Sequence, residues 1–330
     1  MNGMLHIGQP AFEPFLAKEA GSSVERGPGW VLSEKSITDL CFAHLSLVRP
    51  VEHKGETVNA MAGALADYFL QSSREERYEA VWPLCFEAAG VEGLNKRAKS
   101  VEDAFREKTS RMARVMKLAE KGRPPLGPSH GLFVYFTDFG RAFAARDAWG
   151  GGQRRMADDA QAPSRSFLKV EEAYAVLREA PKEGETVVDL GAAPGGWSYS
   201  AARRGARVLA IDNGPLKGGA LGNPLISARP EDAFKFIPSE RADWLFCDMI
   251  EDPQRVFELL RHWVEEGWCR KFIVNLKYGR HDPLPLIRDV LSGKGGLAPL
   301  CSVLRVRHLY HDREELTVVG ILKASSHFMP

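Results

Sequence analysis

The sequence holds no apolar run approaching the roughly 20 residues that a membrane-spanning helix requires. A helical membrane anchor is therefore not among the readings. The opening stretch, MNGMLHIGQPAFEPFLAKEAG, has neither a basic n-region nor an apolar h-region, so a cytoplasmic location is the expectation. Cysteine is scarce and scattered. Cys41, Cys85, Cys247, Cys269 and Cys301 form no CxxC pair, which excludes a sequence-encoded disulfide framework or zinc knuckle and suits reduced thiols. No cluster of ligand-type residues with metal spacing is present, so no metal is expected. A dominant charge is missing too. The 44 basic residues face 43 acidic ones, a net of +1, so any affinity for nucleic acid has to come from local patches. Three such patches exist: Arg111, Arg114, Lys117, Lys121 and Arg123 in SRMARVMKLAEKGR; Arg154 and Arg155; and Arg305, Arg307 and Arg313 in LRVRHLYHDR. For each, a solvated face is the ordinary reading. No internal repeat or low-complexity tract is evident.

What is present is a hydrophobic content of 44% and a charged content of 26% over 330 residues, the profile of a globular chain with room for two domains. The Gly- and Pro-bearing stretch GGGQRRMADDAQAPSRS breaks periodicity and reads as a linker, 151–165, between residues 1–150 and 166–330. Before it, the strand-like runs LCFAHLSLV, YEAVWPLCFEA and GLFVYFTDF alternate with the helical patterns FEPFLAKEA, VNAMAGALADYFLQ and VEDAFREKTSRMARVMKLAEK. This is an α+β or α/β region without a chemical motif. After it, strands and helices mostly alternate: LKVEEAYAVLREA (helix), TVVDLG (strand), GGWSYSAARRG (helix start), ARVLAID and ADWLFCDMI (strands), PQRVFELLRHWVEEG (helix) and KFIVNLKYG (strand). A short helix, PLPLIRDVL, follows, and CSVLRVRHLY with ELTVVGILK reads as an antiparallel hairpin. That alternation implies a mostly parallel, doubly wound α/β sheet, whose ligands bind beyond the carboxyl ends of the strands.

The stretch VVDLGAAPGGWSYSAARRG concentrates the chemistry. A buried strand ends at Asp189, and Gly191, Gly195 and Gly196 in the turn are expected to let a ligand approach the main chain without Cβ atoms in its path. The next strand ends at Asp212, where a carboxylate can accept hydrogen bonds from a ribose diol. The spacing G-x-x-x-G-G with Pro194 between lacks the second glycine of a dinucleotide turn, which admits a pyrophosphate. A nucleoside with a short amino-acid tail, S-adenosylmethionine, suits it better, and Asp189 lies where the cationic tail would be. A tight strand-to-helix turn with no ligand is the bland alternative.

DLGAAPGGW resembles the cofactor signature of FtsJ-like 2′-O-ribose methyltransferases, and SRSFLKVEEA, DNGPL, CDM, NLK and LYHDREELTV extend the likeness. In this order the set is closest to the bacterial 23S rRNA cytidine 2′-O-ribose methyltransferase M subfamily, over roughly 164–323. The resemblance implies a Rossmann-like class I methyltransferase domain: a mostly parallel seven-stranded sheet with an antiparallel C-terminal hairpin. An α+β ferredoxin-like and THUMP-like RNA-binding region would precede it. The amino-terminal half is similar to that region only in length and element order, and carries GRAFAARDAWGGGQRR where an aromatic-rich stretch is expected.

The resemblance also implies a tetrad of Lys169, Asp248, Lys277 and Glu315. A ribose hydroxyl is a poor nucleophile, and a base contributes about 10²–10⁴-fold when its pKa lies near the working pH. Lys277 would be that base, Lys169 a second cation that helps to hold the hydroxyl, Asp248 the orienting group and Glu315 the anchor of the pair. A lysine serves as base only if its ammonium is destabilised by burial or a nearby cation. Alignment of the reacting atoms, worth about 7–11 kcal/mol, is the base-free alternative. Cofactor contacts carried over in the same way are Ser166 and the turn Ala193, Pro194, Gly195, Gly196 and Trp197 for the methionine moiety. Asp212 would take the ribose diol and Asp232 the adenine amino group, with Asp248 bordering the same cofactor. Trp197 reads equally well as a core aromatic behind the turn.

CDMIED stands where amine-directed methyltransferases place an acid or Asn before Pro-Pro-aromatic, which argues against amine chemistry. Carbon methylation of cytosine needs a cysteine nucleophile, and Cys247, beside Asp248 in a strand, points to the opposite face and into the core. His308 and His311 read as hydrogen-bonding residues of the hairpin. The partner expected is 23S rRNA or a large-subunit precursor, with no membrane and no metal. The competing readings are a non-catalytic RNA-binding protein that retains the cofactor fold and a nicotinamide-dependent oxidoreductase.

Overall fold

The structure, a computed structural model, describes residues 3–324. It divides into two compact units, Met1–Gly152 and Gln153–Pro330.

The first unit is built on a nine-stranded mixed sheet. Its elements are β1 (Met4–Ile7), α1 (Glu13–Ala20), β2 (Ser23–Gly27), β3 (Trp30–Ser33), β4 (Leu45–Val48), β5 (Val51–Lys54), α2 (Val58–Ser72), β6 (Trp82–Ala88), α3 (Leu94–Lys108), α4 (Ala113–Met116), β7 (Ala119–Lys121), β8 (Gly127–Asp138) and β9 (Arg141–Gly150). The strand order is β2-β3-β1-β4-β9-β8-β6-β7, with β5 also pairing with β9. Helix α2 starts where the Thr57 hydroxyl accepts a hydrogen bond from the Ala60 N–H, at 3.1 Å, and then buries Met61, Ala62, Leu65, Ala66 and Phe69 at helical spacing. These side chains join Phe105, Phe133, Phe136 and Phe143 in the core.

Two expectations change here. The helix foreseen over VEDAFREKTSRMARVMKLAEK breaks at Thr109, whose hydroxyl turns back to the Phe105 carbonyl at 2.8 Å. A 3₁₀ turn and the four-residue α4 follow, and Ala119–Lys121 becomes an edge strand parallel to β6. GRAFAARDAWG, noted only for its lack of aromatics, is β9, which pairs with β4, β5 and β8. Its small residues Ala142, Ala144, Ala145 and Ala148 are fully enclosed, as a central strand between bulkier layers requires.

The second unit contains α5 (Phe167–Leu177), β10 (Thr186–Leu190), α6 (Gly196–Ala202), β11 (Arg207–Ile211), β12 (Ile226–Arg229), β13 (Ala242–Cys247), α7 (Pro253–Glu265), β14 (Cys269–Leu276), α8 (Leu284–Leu291), β15 (Cys301–Arg307) and β16 (Leu316–Leu322). The order β12-β11-β10-β13-β14-β16-β15 is parallel from β12 to β14, and β16 inserts antiparallel between β14 and β15. This is a Rossmann-like methyltransferase sheet with its antiparallel hairpin. The order reverses between β10 and β13, which puts the switch point at the ends of those two strands. Only β12, the short and polar ISAR, had no signature in the periodicity.

The stretch from Gln153 onward, read as a linker, lies within this unit. Glu172 accepts hydrogen bonds from the N–H groups of Arg154, Tyr310 and His311, and the Gly219 N–H donates to the Gln161 carbonyl at 2.8 Å. Met156 and Ala162 pack against Phe167, Leu168, Tyr199 and Ala220. Its composition is loop-like, but its backbone polar groups find partners in the unit that follows.

Candidate active site

Register across the second sheet decides which residues meet. Leu190 pairs with Cys247, Cys247 with Val274, and Leu276 with Leu316. One step beyond these pairs stand Gly191, Asp248, Lys277 and Glu315, all at one edge of the sheet. Lys169 reaches that edge from the first turn of α5. The four charged side chains meet there. Lys277 Nζ lies 2.7 Å from Asp248 Oδ1 and 3.9 Å from Glu315 Oε2, and also donates to the Asp248 carbonyl at 3.1 Å. Lys169 Nζ lies 2.5 Å from Glu315 Oε1 and 3.7 Å from Asp248 Oδ1. Two cations thus share two carboxylates in an alternating square.

Burial alone would lower the Lys169 pKa, but Asp248 and Glu315 outweigh it and the net direction is upward. Lys169 is thereby held as the ammonium, the state of a cation that binds an oxygen and not of a base. Glu314, one residue away, is exposed and offers only its carbonyl, to Gly279 N–H, so strand alternation turns Glu315 inward. Cys247 is buried, and burial pushes its thiol to about 12, far from a nucleophilic thiolate. His308 donates from Nε2 to the Arg313 carbonyl, and His311 Nε2 accepts from Met156 N–H, so both histidines are structural.

The glycine turn is shaped by its own neighbours. A Cβ on Gly191 would lie 2.3 Å from Met249 Cγ, and one on Gly195 would lie 2.5 Å from Ala220 Cβ. Gly195 also has φ +105°, a conformation that L side chains rarely adopt. A Cβ on Gly196 would lie 2.8 Å from both the Ser164 and Ser166 hydroxyls. The glycines are therefore required by protein packing as well, whether or not a ligand approaches the turn. Trp197 settles on the core side of its two readings. It is buried edge-on to Phe246 with ring centroids 5.8 Å apart, and its indole N–H donates to the Ser166 carbonyl at 2.9 Å. The Ser166 hydroxyl pairs with that of Ser164 at 2.7 Å. The Ala193–Pro194 peptide bond is cis.

Asp212, at the end of β11, accepts hydrogen bonds from the Ala193 N–H at 2.9 Å and the Gly214 N–H at 2.7 Å, one on each oxygen. A cavity of about 440 Å³ opens beside it, lined among others by Asn213, Leu216, Ala220, Ile226 and Pro230. Asp232 stands apart from the tetrad. It is exposed, accepts from Phe234 N–H at 3.0 Å, and lies 3.7 Å from Lys235 Nζ.

Whether the site fits S-adenosylmethionine can be judged at Asp189. This carboxyl is buried, its one side-chain partner is the Ser198 hydroxyl at 2.6 Å, and among the described residues no cation pairs with it. Burial, aided by the charges of Asp248 and Asp212, pushes its pKa to about 7. An enclosed acid between other acids, at the end of the first strand, is a place where a cationic ligand relieves strain. The ammonium and sulfonium of the cofactor are such cations, and the residues fit.

A family model described as FtsJ-like methyltransferase matches residues 162–262. Ribosomal RNA large subunit methyltransferase M from Marinomonas sp. (strain MWYL1) is 34% identical over 306 residues, 88% of this chain and 85% of that protein. The chain belongs to the ribosomal RNA large subunit methyltransferase M family. The member from Stenotrophomonas maltophilia (strain K279a) is 34% identical over 358 residues, 96% of each chain, and that from Laribacter hongkongensis (strain HLHK9) is 41% identical over 217 residues, 61% of this chain and 62% of that protein. As a member of that family the chain is an S-adenosylmethionine-dependent methyltransferase, and the likeness extends into the first unit, where sequence reading had found only element order. No helix among the described residues is long and apolar enough to cross a membrane, and no group of metal-ligating side chains is found among them. Three residues that the motifs did not single out also line or support the site: Asn275, Thr317 and Asp312. All three lie inside the quoted motifs NLK and LYHDREELTV; Asn275 and Thr317 were also signalled by polarity within apolar strand-forming stretches, whereas Asp312 sits in the charged connection before β16.

Proposed function

We propose that this enzyme methylates a ribose 2′-hydroxyl of large-subunit ribosomal RNA in the cytoplasm, at a cytidine of 23S rRNA. The observation that carries the reading is the square of Lys169, Asp248, Lys277 and Glu315 beside the Asp189–Asp212 edge, together with kinship to the ribosomal RNA large subunit methyltransferase M proteins. Amine and carbon acceptors need groups that CDMIED and the buried Cys247 do not offer.

Bound S-adenosylmethionine supplies an electrophilic methyl on a sulfonium. The chain supplies everything else. Lys277 Nζ accepts the hydroxyl proton as the sugar oxygen attacks. Asp248, at 2.7 Å, aims that nitrogen. Lys169, held charged, hydrogen-bonds the hydroxyl oxygen, and Glu315 keeps both lysines in register. Each Asp212 oxygen retains a lone pair after accepting its N–H, enough for the two donors of a ribose diol. Asp232 has one oxygen left for an adenine amino group. Ser166 and the main chain of Ala193 to Trp197 would hold the amino-acid tail, and Asp189 would take its ammonium.

The first unit serves as the RNA-binding region, in the place of the family's ferredoxin-like and THUMP-like parts. Arg111, Arg114 and Lys117 are exposed and have no ion partner among the described residues, whereas Lys121 and Arg123 are spent on Glu102 and Glu87. Those three cations can contact phosphates through shape and charge.

The test is transfer of labelled methyl to large-subunit rRNA that lacks the modification, offered naked and as ribosomal precursor, with the product mapped for 2′-O-methyl groups. Lys277→Ala should lose about 10²–10⁴-fold in rate. Label on a base, or undiminished transfer by the variant, rejects the reading.

A further inference from the structure

Asp248, Asn275 and Thr317 occupy one row across β13, β14 and β16. Cys247 pairs with Val274, so Asp248 stands beside Asn275, and Asn275 pairs directly with Thr317. The row is hydrogen-bonded along its length. Asn275 Nδ2 lies 3.2 Å from Asp248 Oδ1, and the Thr317 hydroxyl lies 2.7 Å from Asn275 Oδ1. The same hydroxyl lies 3.0 Å from Asp312 Oδ2 and 3.3 Å from Asp312 Oδ1. Asn275 and Thr317 have no solvent exposure, and Asp312 only 5%.

Counting hydrogens fixes the direction of this chain. Asp248 is the carboxylate that holds Lys277, so it can only accept, and the Asn275 amide must present its NH₂ to it. The Asn275 oxygen then accepts, and the single Thr317 hydrogen goes to it over the 2.7 Å contact. Thr317 has no hydrogen left for Asp312. With an ionised Asp312, lone pairs would face each other at 3.0 Å in a closed site. A proton on Asp312 removes the conflict.

From this geometry we infer that Asp312 works as a neutral carboxylic acid, the first donor of a one-way relay from Asp312 through Thr317 and Asn275 to Asp248. Asp312 and Asn275 are positioning residues. The relay holds Asp248 Oδ1 under Lys277 Nζ, and a neutral Asp312 adds no third negative charge beside Asp248 and Glu315. The other charged groups around Asp312 agree with a bound proton. Burial and the neighbouring Glu315 raise its pKa well above the carboxylate range, Glu172 adds to this, and the Leu309 N–H and Lys169 oppose without prevailing. Arg307, opposite Thr317 in β15, donates Nη1 to the Val306 carbonyl.

This inference presumes that the tetrad is catalytic, but its first test does not. Infrared difference spectra of the full-length protein, wild type minus Asp312→Asn, should show the carbonyl band of an un-ionised carboxyl at pH 8. A carboxylate band in its place overturns the proposal whatever the substrate turns out to be. The second test is methyl transfer. Asp312→Ala and Asn275→Ala should each lower kcat about tenfold or more, the size of a lost charge-assisted hydrogen bond, with KM for S-adenosylmethionine unchanged. Asp312→Asn, which keeps a donor facing Thr317, should rescue most of that loss. An Asn variant as slow as the Ala variant, or an Ala variant as fast as wild type, overturns the relay. If Asp312→Ala does not fold, Thr317→Val against Thr317→Ser reads the same link, with Ser expected to keep the rate that Val loses.

Discussion

In the first unit three inward-lying arginines meet acids close by: Arg141 lies against Glu25 and Glu52, Arg123 against Glu87, and Arg146 against Glu76 and the Tyr78 hydroxyl. In the second unit the charges converge on one edge of a sheet. Lys169, Lys277, Asp248 and Glu315 share partners, Asp312 lies behind them, and Asp189 is buried with no cation paired to it among the described residues. Local pairing of opposite charges serves cohesion, because a desolvated ion is compensated where it stands. Convergence costs cohesion, because like charges are pressed together and buried acids take up protons. Such a cost is retained where the group is needed in a reaction or for a ligand. The contrast locates chemistry in the second unit without reference to any motif.

Three measurements can break or sharpen this contrast. The largest effect is expected in the first-unit core, where Phe133 and Phe136 are fully enclosed. Phe133→Ala should cost about 3–5 kcal/mol in denaturant unfolding and leave the cofactor affinity of the folded protein unchanged. A loss of affinity larger than the loss of folded protein would show that the two units do not divide the work.

The next effect is a pair of opposed pH slopes. The folded pKa of Asp189 is raised from 3.8 to about 7, so its stability is complete below pH 3.8 and is lost as pH rises through about 7. That loss is on the order of 4 kcal/mol, and Asp189→Asn should abolish it, making the ligand-free protein more stable at pH 8 while weakening S-adenosylmethionine binding. His6, buried in β1 of the first unit with Nδ1 2.9 Å from the Ser46 hydroxyl, is shifted the other way, from 6.5 to about 4. Its stability is present above pH 6.5 and is lost as pH falls through about 4. Unfolding curves from pH 4 to 8 for wild type, Asp189→Asn and His6→Asn give the two slopes by difference. Slopes of the same sign would refute the contrast.

The smallest effect on stability belongs to the unpaired cations. A triple Arg111→Ala, Arg114→Ala, Lys117→Ala variant should stay within about 0.5 kcal/mol of wild type per site. Its salt dependence for RNA binding should flatten by about 2 in the slope of log K against log salt, the release expected from three lost phosphate contacts. An unchanged slope would remove this segment from the RNA-binding surface.

Much of the second unit was legible in its residues. A prevailing alternation of apolar strands and amphipathic helices leaves few topologies once crossovers are right-handed, and the sheet follows that order down to the inserted hairpin, with β12 as the added edge strand. Lys169, Asp248, Lys277 and Glu315 were named from motifs, yet spacing alone could not say that residues 146 positions apart, Lys169 and Glu315, would lie 2.5 Å apart. The first unit was less legible. Short strands such as SVERG and VEHK carry little hydrophobicity because they sit at the rim of the sheet, and the helical period of VEDAFREKTSRMARVMKLAEK ran on through a turn set by one threonine hydroxyl.

Local sequence determined the parallel sheet, the turn after β10 and the kinds of side chain at its edge, because period, propensity and turn chemistry act over a few residues. Tertiary structure alone decided that the glycines answer to Met249, Ala220 and the two serines, that Trp197 belongs to the core, and that Asn275, Thr317 and Asp312 stand in line behind Asp248. Those are matters of register between strands distant in the chain. Register is set by the summed burial of whole faces, which no short stretch encodes.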